Sequence, residues 1–102
     1  MHFLLIYDVV DDYASRRQPL RSEHLALATE FYHRGLLELG GALDDPLDMA
    51  ILLFQCDCQT PIEEFVTRDP YVQNGLVRSW RIRRWKTVVG KTAQEPLPPP
   101  SE

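Results

Sequence analysis

Four short apolar stretches divide the chain and predict four β-strands. The first, Phe3–Val10, is rich in aromatic and β-branched residues, and the third, Met49–Gln55, is almost unbroken. The second, Leu36–Leu43, contains two adjacent glycines, so we expect a weak strand with room for a bulge. The last, Val77–Val89, alternates apolar and basic residues, which is typical of a sheet with one packed and one solvated face.

A first helix is predicted between strands one and two. Pro19 suits the opening turn of a helix, because its missing N–H has no partner there, and Gly35 suits the helix end. Between them, apolar residues and one histidine recur at spacings of three and four, which indicates one buried helical face. The members of that face are Leu20, His24, Leu27, Ala28 and Phe31.

A second helix is predicted to begin at Thr60, a capping residue, with Glu63 three positions later. It must be short, because Pro70 disfavours a helical conformation for Asp69. Asp69 can then cap a further helical turn that starts at Pro70 and ends at Gly75.

The order β-α-β-β-α-β predicts an α+β fold of the ferredoxin-like kind, with an antiparallel sheet and both helices on one face. The other face needs a cover. We expect Trp80, Ile82 and the apolar residues of strand three to pack against a second copy of the chain, giving a homodimer. Residues 1–90 form the predicted domain. Residues 91–102 contain four of the eight prolines and are expected to be a disordered tail.

Composition narrows the function classes. The chain has 102 residues and a net charge of −4, so bulk charge gives no reason to expect nucleic acid as a partner. No apolar run is long enough to span a membrane, and the N-terminus lacks the basic start of a signal peptide. Cys56 and Cys58 lie too close together in sequence for a disulfide bond between them to hold the fold together. No second pair of ligands completes a metal site with them. We therefore expect a cytoplasmic protein without bound metal or cofactor.

Two motifs resemble the YciI-like (YCII-related) family: Arg21-Ser22-Glu23-His24-Leu25 on the first helix, and Asp69-Pro70-Tyr71-Val72 before the last strand. The resemblance extends from Met1 to Val89. It implies a dimeric α+β barrel and a His–Asp active site at His24 and Asp69. Some relatives are dehydrochlorinases of chlorinated aromatic compounds, although most members have no established substrate. The segment 44–48 is shorter here than the corresponding hairpin in the family, so the resemblance does not extend to substrate contacts made by that hairpin.

The residues themselves support two interpretations of this pair. A histidine on an apolar helix face is commonly a core residue, and Asp69 is sufficiently explained as a helix cap. A carboxylate beside an imidazole also fixes its tautomer and increases its basicity, which suits a general base. Arg21, one turn before His24, is either a clamp for a substrate anion or a surface ion-pair residue.

Two further positions remain open at this level. Asp8 either lines the cleft or anchors a loop, and Tyr71 either donates its hydroxyl to a ligand or packs on a partner subunit. Arg16 and Arg17 are expected to be solvated loop charges. Two function classes follow. The chain is either a cofactor-independent enzyme that uses His24 and Asp69 on a small anionic or aromatic metabolite, or a non-catalytic dimer that binds a small molecule or a protein.

Overall fold

A computed structural model describes residues 1–97 of the chain. It contains a four-stranded sheet and four α-helices, with a short 3-10 helix at Gln18–Leu20. The strands are β1 (His2–Val9), β2 (Leu37–Ala42), β3 (Met49–Gln55) and β4 (Val77–Trp85), and the helices are α1 (Tyr13–Arg16), α2 (Arg21–His33), α3 (Thr60–Arg68) and α4 (Pro70–Gln73). The predicted ferredoxin-like α+β fold is confirmed.

The sheet is antiparallel throughout, in the order β2-β3-β1-β4. Alternate residues of β1 and β3 are buried under the helices, where Phe31, Phe54 and Phe65 contact one another edge to face. These rings lie in the middle of the core, so α2 and α3 are held side by side on one face of the sheet. The pairing of β2 with β3 shifts register between Leu37 and Leu39, before the two glycines, whose own pairs with Leu52 and Ile51 are regular.

The expected start of the second helix is wrong in one detail. Helix α3 begins at Thr60 itself, and no side chain caps its N-terminus. The expected end is confirmed. Asp69 has an extended conformation, with ψ of 118°, because the ring of Pro70 clashes with a helical residue before it. Helix α4 starts immediately afterwards, and the Asp69 side chain caps it.

Trp80 and Ile82 of β4 were expected on the helix-free face of the sheet, and this expectation is also wrong. Trp80 lies opposite Tyr7, and Ile82 lies opposite Leu5, so both side chains are on the helix side of the sheet. Trp85 lies opposite His2 on the other face. Paired residues of antiparallel strands point to the same side, so the register with β1 decides the matter.

The helix-free face is formed by partly buried apolar residues of the two central strands, flanked by basic residues of β4. Its apolar members include Leu4, Ile6, Ile51 and Leu53. Strand β4 ends earlier than expected, at Trp85. Beyond it, the Thr87 hydroxyl lies 2.8 Å from Nδ1 of His2, and Glu95 N–H donates to the Thr87 carbonyl at 2.9 Å. Residues 98–102 lie outside the described part, and the disordered tail stays a prediction.

Candidate active site

Asp69 is the centre of a hydrogen-bond network, although its side chain is fully buried. One carboxylate oxygen, Oδ1, lies 2.8 Å from Nδ1 of His24 and accepts from the Tyr71 backbone N–H at 3.0 Å. The other oxygen, Oδ2, accepts from the Tyr7 hydroxyl at 2.8 Å. A buried carboxylate needs this number of donors, because it has lost its water. The structure thus brings His24 and Asp69 together, and Asp69 is a helix cap at the same time.

The imidazole of His24 is held by its neighbours as well as by Asp69. It stacks on the Tyr71 ring with a centroid distance of 3.8 Å and an angle of 8° between the planes. The Phe65 ring meets it edge-on at 6.3 Å. The His24 side chain is 14% exposed. Its Nε2 atom makes no hydrogen bond to residues 1–97 and belongs to a side chain that lines a cavity.

This cavity has a volume of about 310 Å³ and lies between α2 and the β2–β3 side of the sheet. Its size is within the range of small-molecule sites. The apolar part of its wall comes from both elements, and polar side chains, including His24, complete it. The apolar wall residues include Leu25, Ala28, Leu37 and Leu52, and the polar ones include Tyr7, Tyr13, Arg17, Arg21, His24 and Tyr71.

Three tyrosine hydroxyls in this wall keep their protons. Burial, together with the charge of Asp69, raises the pKa of Tyr7 well above its ordinary value. Burial also raises the pKa of Tyr13, although the nearby Arg17 guanidinium acts in the opposite direction. The pKa of Tyr71 is raised chiefly by burial too. At neutral pH all three side chains therefore remain hydrogen-bond donors.

The structure separates Asp8 from the other predicted site residues. Tyr7 points to the helix side, so Asp8 points to the helix-free face, where it accepts hydrogen bonds from Ser79 and Arg81 at 3.0 Å each. It does not line the cavity, and the expectation that it could do so is wrong. Its two partners make it an anchor between β1 and β4. Arg21 and Tyr71, in contrast, both lie in the cavity wall.

Sequence reasoning missed Tyr7 and misplaced Arg17. Tyr7 lies inside an apolar strand, where the pattern does not distinguish it from its hydrophobic neighbours. The alternation of β1 could have found it, since a tyrosine that shares a buried face with Phe3 and Leu5 needs a partner for its hydroxyl. Arg17 was expected to be solvated. Instead, helix α1 and the following 3-10 turn bring its guanidinium over the Tyr13 ring, 5.2 Å from the centroid, and into the cavity wall.

The described residues contain no cluster of three or more His, Cys, Asp and Glu side chains that could hold a metal ion. No helix within residues 1–97 has the length and apolar character required to cross a membrane.

Comparison with solved structures gives a protein of the same fold. It is 5-chloro-2-hydroxyhydroquinone dehydrochlorinase (TftG) from Burkholderia phenoliruptrix AC1100, in complex with 2,5-dihydroxybenzoquinone. The TM-score is 0.71 at 21% identity, and the match covers 85% of this chain and 95% of that one. No curated protein matches the sequence at a significant level. The family model of the YCII-related domain matches residues 1–86. The chain therefore belongs to the family of YCII-related domain proteins.

Proposed function

We propose that the chain is a cofactor-independent enzyme in which His24, oriented by Asp69, is the general acid–base for a small anionic or aromatic metabolite. The observation that carries this proposal is the 2.8 Å contact between His24 Nδ1 and Asp69 Oδ1 at the wall of a cavity. A core histidine would be sealed against apolar side chains. His24 instead has one nitrogen bound to a buried carboxylate and the other free beside open space.

The hydrogen bonds support the tautomer that this role requires. Asp69 accepts from Tyr7 and from the Tyr71 backbone, so an ionised carboxylate fits the network best. The proton of a neutral His24 then belongs on Nδ1, and Nε2 keeps its lone pair. In the proposed reaction Nε2 takes a proton from the substrate, the imidazolium is stabilised by Asp69, and the proton returns to the product.

The nature of the substrate is supported by the cavity and by the structural neighbour. The cavity combines apolar walls with the cationic side chain of Arg21, one helical turn before His24. A guanidinium pairs well with a planar anion, so Arg21 is the proposed clamp for an acidic group of the substrate. TftG is a dehydrochlorinase whose complex contains 2,5-dihydroxybenzoquinone, a small, acidic, oxygenated ring. We propose a ligand of this general kind here.

The test begins with a thermal-shift screen of small aromatic and anionic metabolites, with 2,5-dihydroxybenzoquinone and 5-chloro-2-hydroxyhydroquinone included. Compounds that raise the melting temperature are then assayed for turnover. We expect His24→Gln to lower turnover by roughly 10²-fold or more, the usual contribution of a general acid–base. Asp69→Asn should lower it similarly, and the double variant should add little, because residues that act as a unit are not additive.

Two results would contradict the proposal. One is a His24→Gln variant that turns over a compound at the wild-type rate. The other is a set of compounds that bind in this cavity but are consumed by neither wild type nor variant. The second result would favour the alternative function, a non-catalytic domain that binds small molecules.

We also propose that the chain assembles as a homodimer through its helix-free sheet face. The support is the row of partly exposed apolar residues on β1 and β3, which water would otherwise cover. An isologous dimer buries this face against its own copy. The opposite side of the sheet carries α2 and α3, so the cavity beside His24 stays open in such an assembly.

A further inference from the structure

Two side chains that line the His24 cavity each carry a buried polar atom with no hydrogen-bond partner within residues 1–97. The atoms are Nε of Arg17 and the hydroxyl of Tyr71. The third such atom in the described part of the chain, Nε2 of His2, lies 3.2 Å from a Glu38 carboxylate oxygen and belongs to another region. Buried polar groups are almost always paired, because an unpaired one costs about 1–3 kcal/mol. Two on side chains that line one cavity indicate a missing acceptor.

Both orphan groups are donors. The Nε–H of arginine can only donate, and the Tyr71 hydroxyl stays protonated because burial raises its pKa. Neither group is free to turn away. Tyr71 is 1% exposed and stacked on His24, and the Arg17 guanidinium packs over the Tyr13 ring. The two donors are therefore fixed in place before any ligand arrives, which lowers the cost of binding one.

Charge decides the kind of acceptor. Arg17 and Arg21 bring two positive charges to the cavity wall. The carboxylate of Asp69 is already used by Tyr7, His24 and the Tyr71 N–H. Glu38 also contributes to the wall, but its carboxylate lies beside His2. Because both nearby carboxylates are already engaged, the two guanidinium groups favour an anion over a neutral carbonyl as the acceptor.

We infer that Arg17 and Tyr71 form an oxyanion subsite that binds a negatively charged oxygen, a carboxylate or an enolate, on a ligand whose apolar ring lies against the walls of the cavity. The inference rests on the proposed function for its catalytic meaning. When His24 removes a proton from carbon beside a carbonyl, negative charge develops on the carbonyl oxygen. Donors that are already held beside such a site stabilise the charge with little reorganisation.

Binding of matched ligand pairs tests the subsite without knowledge of the reaction. Benzoate and benzamide share a shape and differ in charge, and 2,5-dihydroxybenzoquinone has a neutral counterpart in its dimethyl ether. Calorimetric titration of the wild type should show a preference of about tenfold or more for the anion in at least one pair, the usual effect of a charged hydrogen bond. The first pair reports a carboxylate site, and the second reports an enolate site.

The chain offers a matched control for Arg17 in its neighbour. Arg16 has the same charge, but its guanidinium donates to the Asn74 carbonyl at 3.1 Å and does not line the cavity. Arg17→Gln should remove the preference for the anion, and Arg16→Gln should keep it. Tyr71→Phe, which keeps the stacked ring, should weaken binding of the anion and leave binding of the neutral ligand unchanged.

Equal affinity for both members of each pair in the wild type would overturn the subsite, and so would an anion preference that survives Arg17→Gln and Tyr71→Phe. His24→Gln separates this inference from the proposed function. The variant should still prefer the anion although its turnover is lost. An anion preference that depends on Arg17, found together with turnover unaffected by His24→Gln, would sustain the subsite and remove the acid–base proposal.

Discussion

Asp69 joins three parts of the chain at one side chain. Its carboxylate is bound by Tyr7 from β1, by His24 from α2 and by the N–H of Tyr71 in α4. These contacts span up to 62 residues of sequence. The orientation of the imidazole is therefore coupled to the packing of the sheet against the helices. A change in any donor should be felt in stability as well as in chemistry.

Replacement of Tyr7 tests this coupling. Tyr7→Phe removes the donor to Oδ2 and leaves part of a buried carboxylate unpaired, so we expect a loss of about 1–3 kcal/mol in the free energy of unfolding. Urea denaturation at neutral pH measures it. Tyr32→Phe is the control, because Tyr32 is 59% exposed and its loss should change little. Equal stability of the Tyr7 variant and the wild type would show that Asp69 does not depend on this donor.

Tyr7 also predicts how stability changes in alkali. Its pKa in the folded chain is raised above the ordinary value of 10.0, chiefly by burial. The contribution of the protonated Tyr7 to the free energy of unfolding is fully present below about pH 10. It is lost as the pH rises further, because Tyr7 in the unfolded chain releases its proton first. The free energy of unfolding, measured by urea denaturation at several pH values above 10, should therefore fall less steeply with pH for Tyr7→Phe than for the wild type. A slope unchanged by the substitution would contradict this assignment.

At the scale of the elements, the turn after α4 needs a glycine. Gly75 has φ of +76°, a conformation that side chains with Cβ adopt at a cost. Gly41 in β2 has an ordinary φ and open space around its Cα. We expect Gly75→Ala to lower stability by about 1–2 kcal/mol and Gly41→Ala to leave it unchanged or slightly higher. Similar losses in both variants would contradict the backbone explanation.

Helices α2 and α3 are linked at their exposed edges by a network of ion pairs. Arg68 donates to both carboxylate oxygens of Glu30 at 2.7 Å, and Glu64 accepts from Arg34 and Arg68 at 3.0 Å. These hydrogen bonds lower the pKa of Glu30 and of Glu64 below the ordinary value. The stabilisation is present above about pH 4.5 and is lost as the pH falls below it.

Removal of Arg68 should flatten this acid dependence. We expect the difference in stability between neutral and acid pH to shrink in Arg68→Gln, while Arg78→Gln, which breaks an isolated exposed pair with Asp11, has no such effect. Urea denaturation across the acid range measures both. A wild-type acid dependence that Arg68→Gln leaves unchanged would show that the network is without consequence.

The elements were largely predictable because each depends on a local pattern. The period of α2, the break at Asp69-Pro70 and the apolar runs of β1 and β3 all appear in the sequence, and all form as expected. The faces of β4 were not predictable. This strand lies at the edge of the sheet, where Trp80 and Trp85 are both about half exposed, so alternation alone cannot say which face is packed.

The site was predictable only in part, for a related reason. His24 and Asp69 were found through their motifs, and their contact depends on the fold as a whole. Asp8 was expected on the wrong face of β1. Successive residues of a strand point to opposite faces, and its neighbour Tyr7 is the one that faces Asp69. Arg17 was missed because residues 13–17 were expected to be a polar loop, whereas helix α1 places Arg17 over the Tyr13 ring four residues earlier.

At the scale of the whole molecule, the open sheet face gives a test of assembly. We expect a dimer in sedimentation at tens of micromolar. Leu53→Lys, in the middle of the helix-free face, should give a monomer, because a buried unpaired charge is costly. Leu25→Lys alters an apolar residue that is 46% exposed on α2, and it should leave the dimer intact. A wild-type monomer, or a dimer that tolerates Leu53→Lys, would contradict the proposed interface.

The positions of the two tryptophans on opposite sides of β4 have a practical consequence for fluorescence. Trp80 points to the helix side, and Trp85 points to the helix-free face. Each is about half exposed, so its emission wavelength responds to whatever covers it. A Trp80→Phe chain retains Trp85 alone, on the helix-free face. Its emission maximum should shift to shorter wavelength when the chain dimerises and should shift back on dilution. The Trp85→Phe chain retains Trp80 alone, on the helix side, which dimerisation should not affect.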